Sequence, residues 1–297
     1  MSEGREIKVV HARMVAPRGP PLHVLRPEVK ALDLGTESAK AVYWRAFERL
    51  RLRWYGSFAR LVAKEFEAER KEVMRSLEGR SPHSAEGAIE TALIDSRERW
   101  TKFYKAAYLA IGEDFAPMVE ASINGKDYSP ADNSSVSSGQ RSNDQWVQFL
   151  LDWISRQSGV KISQIQDVTL DRIRAQLSEG ITSGESMEDI AKRLGSIYDD
   201  NVSGRAMRIA RTEVINASNA ASYAGAKGSG AKVRKKWLSS RDGRVRTAHA
   251  TADGQIVDMD APFRVGGYEL MWPGDTSRGA PAALTVNCRC TQSYVRR

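Results

Sequence analysis

Between Tyr43 and Leu77, the apolar positions Tyr43, Phe47, Leu50, Trp54, Phe58, Leu61, Val62, Phe66, Val73 and Leu77 recur every three or four residues. That period lays them along one stripe of a long amphipathic helix starting near Thr36, with Arg and Glu filling the spaces between. Gly79 and Pro82 stop it, and a second helical pattern runs through Ile89, Leu93, Trp100, Tyr104, Tyr108, Ile111 and Phe115. Two such helices joined by a short turn predict an antiparallel hairpin over 36–124, whose aromatic stripe serves as core or interface.

The flanking segments read differently. Residues 1–35 carry Pro17, Pro20, Pro21 and Pro27 and are expected to form an extended arm, because proline lacks the backbone donor of regular structure. Residues 125–143, with Pro130 among Gly, Ser, Asn and Asp, read as a linker. Helical sequence resumes over 144–230. Trp146, Phe149, Leu150 and Trp153 share a face, Ser186 to Asp189 resembles a capping box, and Ala206, Ala210 and Ala217 make a helix suited to close packing. Over 231–297 short β-friendly runs alternate with turns: Val233 to Leu238, Gln255 to Val257, Phe263 to Val265, Tyr268 to Trp272, and Leu284 to Val295. The expected fold class is α+β, a mainly helical N-terminal half followed by a helical support carrying a small β-rich unit.

With 297 residues, 41% of them hydrophobic, the chain can bury a substantial core. No run of about 18 apolar residues is present, so a soluble protein without a membrane segment is expected. The net charge of +8 favours an anionic partner. Its sharpest cluster is Lys227, Lys232, Arg234, Lys235 and Lys236, loosened by Gly225, Gly228 and Gly230, a candidate track for the phosphates of double-stranded DNA. The plainer alternative is a loop leading into a strand.

Both cysteines lie in Asn287-Cys288-Arg289-Cys290. A disulfide across one residue is sterically difficult, and the compartment reads as reducing. In a strand, positions i and i+2 would put both sulfurs on one face and Arg289 on the other. Four donors of Cys, His or carboxylate type suit zinc, and His249, Cys288 and Cys290 with Asp253 as a fourth are the candidate set. The alternative packs the thiols as small apolar groups and pairs Asn287 and Arg289 with Asp242, Asp253 or Asp275. No cofactor is otherwise expected.

Arg211-Thr212-Glu213, Asn219, Trp237, Asp242-x-x-Val245-Arg246-x-x-His249, Asp253-Gly254 and Asn287-Cys288-Arg289-Cys290 occur in that order. From about residue 145 onward this set resembles the phage head morphogenesis family, the Mu F-like minor head proteins. The resemblance implies a non-enzymatic minor capsid component of a tailed phage or prophage. It would sit in the virion head interior near the portal after assembly in the host cytoplasm, and act in head assembly and genome packaging or delivery. Its implied partners are the portal protein and, further, the major capsid or scaffolding protein. Relatives of this family can carry Cys-x-x-Cys where this chain has Arg246-x-x-His249, which leaves a metal site degenerate or rebuilt.

Two other function classes stay in view. A DNA-binding accessory protein would use the basic cluster. A nuclease or transferase would centre on His249, with Glu213, Arg246 and Asp253 as acid, base or charge partners. Against catalysis, Glu213 also reads as a helix carboxylate paired with Arg208, Arg211 or a residue of the β unit.

Overall fold

The computed structural model describes residues 31–126, 145–199 and 202–297. The arm expected over 1–35 lies outside them except for its last five residues, and so does the linker expected over 125–143 except for its first two. Helix α1, Glu37–Ser76, is capped by Thr36, whose hydroxyl accepts the Ala39 amide at 3.1 Å. It is about 60 Å long at about 1.5 Å per residue. Its buried stripe includes Tyr43, Phe47, Trp54, Phe58, Val62, Phe66 and Val73.

The second limb is divided, where the periodicity suggested one helix. Helix α2 spans Pro82–Asp95 and α3 spans Arg97–Ile123. The interruption falls at buried Ser96, whose hydroxyl donates to Leu93 O at 2.8 Å and lies 3.3 Å from the buried Glu69 carboxylate of α1. A serine that bonds its own preceding turn competes with the helix, and apolar spacing does not register it.

Helices α4 (Gln145–Thr182), α5 (Met187–Asp199) and α6 (Val202–Gly228) follow. Ser186 accepts the Asp189 amide at 3.2 Å and opens α5 as the capping pattern indicated. Helix α6 is the axis of the molecule. Both α1 and α3 pack mainly against it, through its buried Ala206, Ala210, Ala217, Ala220, Ala221 and Ala224. Small side chains permit that approach, and at Gly225 they must be absent altogether. A Cβ there would sit 2.1 Å from Ala116 O of α3. Segments 36–124 and 145–297 thus share one continuous core.

The β unit holds two sheets. Strands β1 (Val233–Leu238), β2 (Ile256–Asp258) and β5 (Thr291–Arg296) form an antiparallel sheet in the order β2-β1-β5. Leu32 bridges Tyr294 in parallel along β5, so the chain just before α1 covers that edge. Strands β3 (Phe263–Val265) and β4 (Tyr268–Leu270) make a hairpin turned by Gly266 and Gly267, both at positive φ. Short helices α7 (Thr247–Ala252) and α8 (Ala282–Thr285) connect the strands.

The expected strand from Leu284 to Val295 is a composite. Its start belongs to α8, Asn287 turns the chain at φ 53°, and pairing begins only at Thr291. Asparagine is one of the few residues that tolerate the left-handed region, so this reversal is locally encoded but invisible to an apolar count.

Candidate functional site

His249 lies on α7, and its Nδ1 is 3.3 Å from Cys290 Sγ and 3.6 Å from Cys288 Sγ. The three residues are 2%, 1% and 1% exposed, respectively for His249, Cys288 and Cys290. The sulfurs converge although neither cysteine is in a strand; the Asn287 turn brings them to one side in place of strand alternation. Trp237 of β1 meets the imidazole edge-on at 5.7 Å and Phe263 meets Trp237 at 5.3 Å. The site is therefore apolar-walled, and His249 Nε2 and Trp237 Nε1 are buried without hydrogen-bond partners.

The two thiols are electrostatically unequal. A hydrogen bond from the Cys290 thiol holds Cys288 well below the ordinary thiol range, opposed by burial and assisted by His249. Burial and the adjoining Cys288 push Cys290 well above it.

The surrounding motif residues hold this cluster. Arg289 grips Asp242 with two bonds, 2.7 and 2.9 Å, and holds that carboxyl below its usual value. Arg246 Nη2 donates to Val286 O at 2.6 Å, and Thr212 accepts the Asn287 amide at 3.2 Å. Asp253 is engaged elsewhere. Its Oδ1 accepts the Ser239 amide at 2.8 Å and its Oδ2 accepts Arg241 at 3.1 Å, before the Gly254 turn at φ 80°. It does not join the group of donor atoms that His249, Cys288 and Cys290 form within 4.8 Å of one another. Asp275 likewise accepts the Met271 and Ser277 amides instead of meeting Asn287 or Arg289.

Asn219 of α6 donates to Pro273 O at 2.8 Å and Cys290 O at 3.2 Å, and accepts from Thr291 and Arg51. Here α1 enters the site, which the sequence reading missed. Trp44 Nε1 donates to Arg289 O at 2.8 Å, Arg51 Nη1 to Cys290 O at 3.3 Å, and the Tyr43 hydroxyl to Gln292 O at 3.0 Å. One signal was available: Arg51 stands four residues after Phe47 and three before Trp54, on the apolar stripe, where a guanidinium requires a buried acceptor.

Glu213 is not paired with Arg208, Arg211 or the β unit as expected. It accepts from Lys161 at 3.1 Å and from Tyr108 at 2.6 Å, both buried, while Arg211 is exposed. The residue faces inward between α3, α4 and α6, because α6 is covered on several sides. It therefore lies apart from the His249 cluster as a separate buried centre.

The basic cluster also divides. Lys235 is 0% exposed, donating to Met271 O at 2.6 Å between the rings of Tyr223 and Phe263. Burial pushes its pKa down to about 7. Strand alternation alone places it inward with Val233 and Trp237. Lys227 pairs with Asp260 at 2.7 Å; Lys232 is exposed, and Arg234 and Lys236 are half-buried. A five-cation phosphate track is not what the fold presents.

Residues 171–293 match the family model described as Phage Mu protein F like protein. The minor head protein GP7 of Bacillus phage SPP1 is 30% identical over 139 residues, 46% of this chain and 44% of that protein. The NAD(+)--arginine ADP-ribosyltransferase EFV of Enterococcus faecalis is 29% identical over 134 residues, 44% of this chain and 27% of that protein. The uncharacterized protein YqbB of Bacillus subtilis is 28% identical over 155 residues, 50% of this chain and 48% of that protein. These matches span half or less of each relative's own length, and no solved structure matches. Residues 171–293, which carry the Arg-Thr-Glu helix, the His249 cluster and the Asn-Cys-Arg-Cys segment, are thus the part of the chain that is similar to the phage Mu protein F like family.

Proposed function

We propose that this protein is a minor head component of a tailed phage or prophage that binds the portal inside the head and acts in head assembly and genome packaging or delivery. The match of residues 171–293 to the Phage Mu protein F like model and the likeness to the SPP1 minor head protein support the head assignment. The observation that carries a structural over a catalytic reading is where the motif residues are spent. Arg289, Asp242, Arg246 and Asp253 are committed to hydrogen bonds inside the β unit, Asn219 ties α6 to that unit, and Glu213 ties α6 to α4. A nuclease or transferase centred on His249 would need Glu213 or Asp253 at the imidazole, and both carboxylates are held by other groups. The transferase name of the Enterococcus relative belongs to a protein of which this chain matches 27%.

The portal-facing surface in this reading is the outer face of α1. Val42, Arg45, Arg49, Leu52 and Arg60 are all exposed and fall on one side at the helical period, and Val42 and Leu52 are 44% and 59% exposed. Among the described residues no helix is long and apolar enough to cross a membrane. The test is co-expression with the portal protein of the same genome, followed by size-exclusion chromatography with mass determination. A stable complex, lost in an R45E/R49E variant that keeps its circular dichroism and melting temperature, is expected. A variant that still co-elutes would remove α1 as the docking face, and a wild-type chain that never co-elutes would remove the portal reading itself.

A further inference from the structure

We propose that His249 Nδ1, Cys288 Sγ and Cys290 Sγ form a three-donor site for a thiophilic divalent cation of the zinc type, its fourth position filled from outside these three side chains. The donor spacing is the first argument. A tetrahedral zinc with Zn–S of about 2.3 Å and Zn–N of about 2.05 Å separates a nitrogen from a sulfur donor by about 3.5 Å. The two nitrogen–sulfur separations are 3.3 and 3.6 Å, and all three donor atoms lie within 4.8 Å of one another.

Charge is the second argument. Two thiolates and a neutral imidazole cancel a divalent cation, so the loaded site buries no net charge among Trp237 and Phe263. Rigidity is the third. The Arg246 bond to Val286 O, the Arg289 bonds to Asp242, and the Asn219 and Arg51 bonds to Cys290 O hold the loop that carries both sulfurs. Asp253 is excluded from the ligand set because both of its oxygens are already engaged. Such an ion would staple α7 to the terminal loop about forty residues away in sequence, in a chain with no disulfide.

The test uses the full chain, reduced, stripped with chelator and titrated with Co(II) alone, then with Zn(II). Thiolate-to-cobalt charge-transfer bands saturating at a single equivalent and bleached by zinc are expected, with a rise in melting temperature on zinc loading. C288S and C290S should each weaken binding by about a hundredfold or more, whereas D253N leaves the thiolate bands in place. Wild-type chain that develops no charge-transfer band, or D253N losing the ion as completely as C288S, would overturn the assignment. Should a cysteine variant fail to fold, X-ray absorption at the zinc edge of the loaded wild-type chain decides the matter. Two sulfurs at about 2.3 Å with nitrogen completing the shell support the site, and a shell of oxygen and nitrogen alone refutes it.

Discussion

Each half of the molecule buries a lysine, and the two are treated in opposite ways. In the helical half Lys161 meets the Glu213 carboxylate at 3.0 Å with the Tyr108 hydroxyl beside it, so the charge is answered by an opposite charge. In the β unit Lys235 bonds a backbone carbonyl between two aromatic rings, and nearby His249 Nε2 and Trp237 Nε1 have no partner. Lys161, Glu213 and Tyr108 close on one another between α3, α4 and α6. The Lys235 centre is open by comparison, its ammonium answered by a carbonyl and two ring faces instead of a carboxylate.

Removing one side of the closed centre should cost most. Glu213→Ala leaves the Lys161 ammonium buried and unpaired, and urea unfolding should show a loss of about 3–5 kcal/mol. A loss under about 1 kcal/mol would mean that the centre is not a closed ion pair. Arg51→Ala tests the bridge between the halves by removing charged donors from Ser218, Asn219 and Cys290 O. About 2–3 kcal/mol is expected, measured in the same way. Circular dichroism should show native helix content at low denaturant.

The open centre has a pH signature of its own. Lys235 titrates near pH 7 in the folded chain against 10.5 for the free side chain. Between those values the unfolded chain holds more protons, so stability rises with pH from about 7 towards 10.5, by up to about 1.4 kcal/mol per pH unit, and the full penalty applies below pH 7. Lys235→Met should flatten that slope in unfolding curves recorded across the range, and a variant with the wild-type slope would assign the effect elsewhere. The smallest change is expected at the rim. Arg289→Ala breaks a partly exposed bidentate pair with Asp242 and should cost about 0.5–1 kcal/mol, with the deficit shrinking in high salt.

Much of this was readable before the fold was known, and the failures share a cause. The bounds of β1 and β3, the start of α1 at Thr36 and the cap at Ser186 follow from local patterns, and the structure places them where those patterns do. The likeness of the C-terminal part to the phage Mu protein F like family was legible from ordered motif residues. Ser96, Asn287, Arg51, Glu213 and Lys235 were misread or passed over. At Asn287 a left-handed backbone turned the chain, and at the others a polar side chain chose its partner across the fold or against its own turn; none of these choices has a period.

The sequence alone determined the α+β class, the helical stripes and the pairing of His249 with two cysteines as a chemical possibility. Apolar periodicity, turn residues and motif order are local quantities written along the chain. Only the tertiary structure decided that α6 runs through the centre, that α1 donates to the carbonyls of the cysteine loop, and that Asp253 stands aside while three donors meet. Those outcomes depend on which distant groups share a buried volume, and a buried polar atom takes the partner that packing brings within reach.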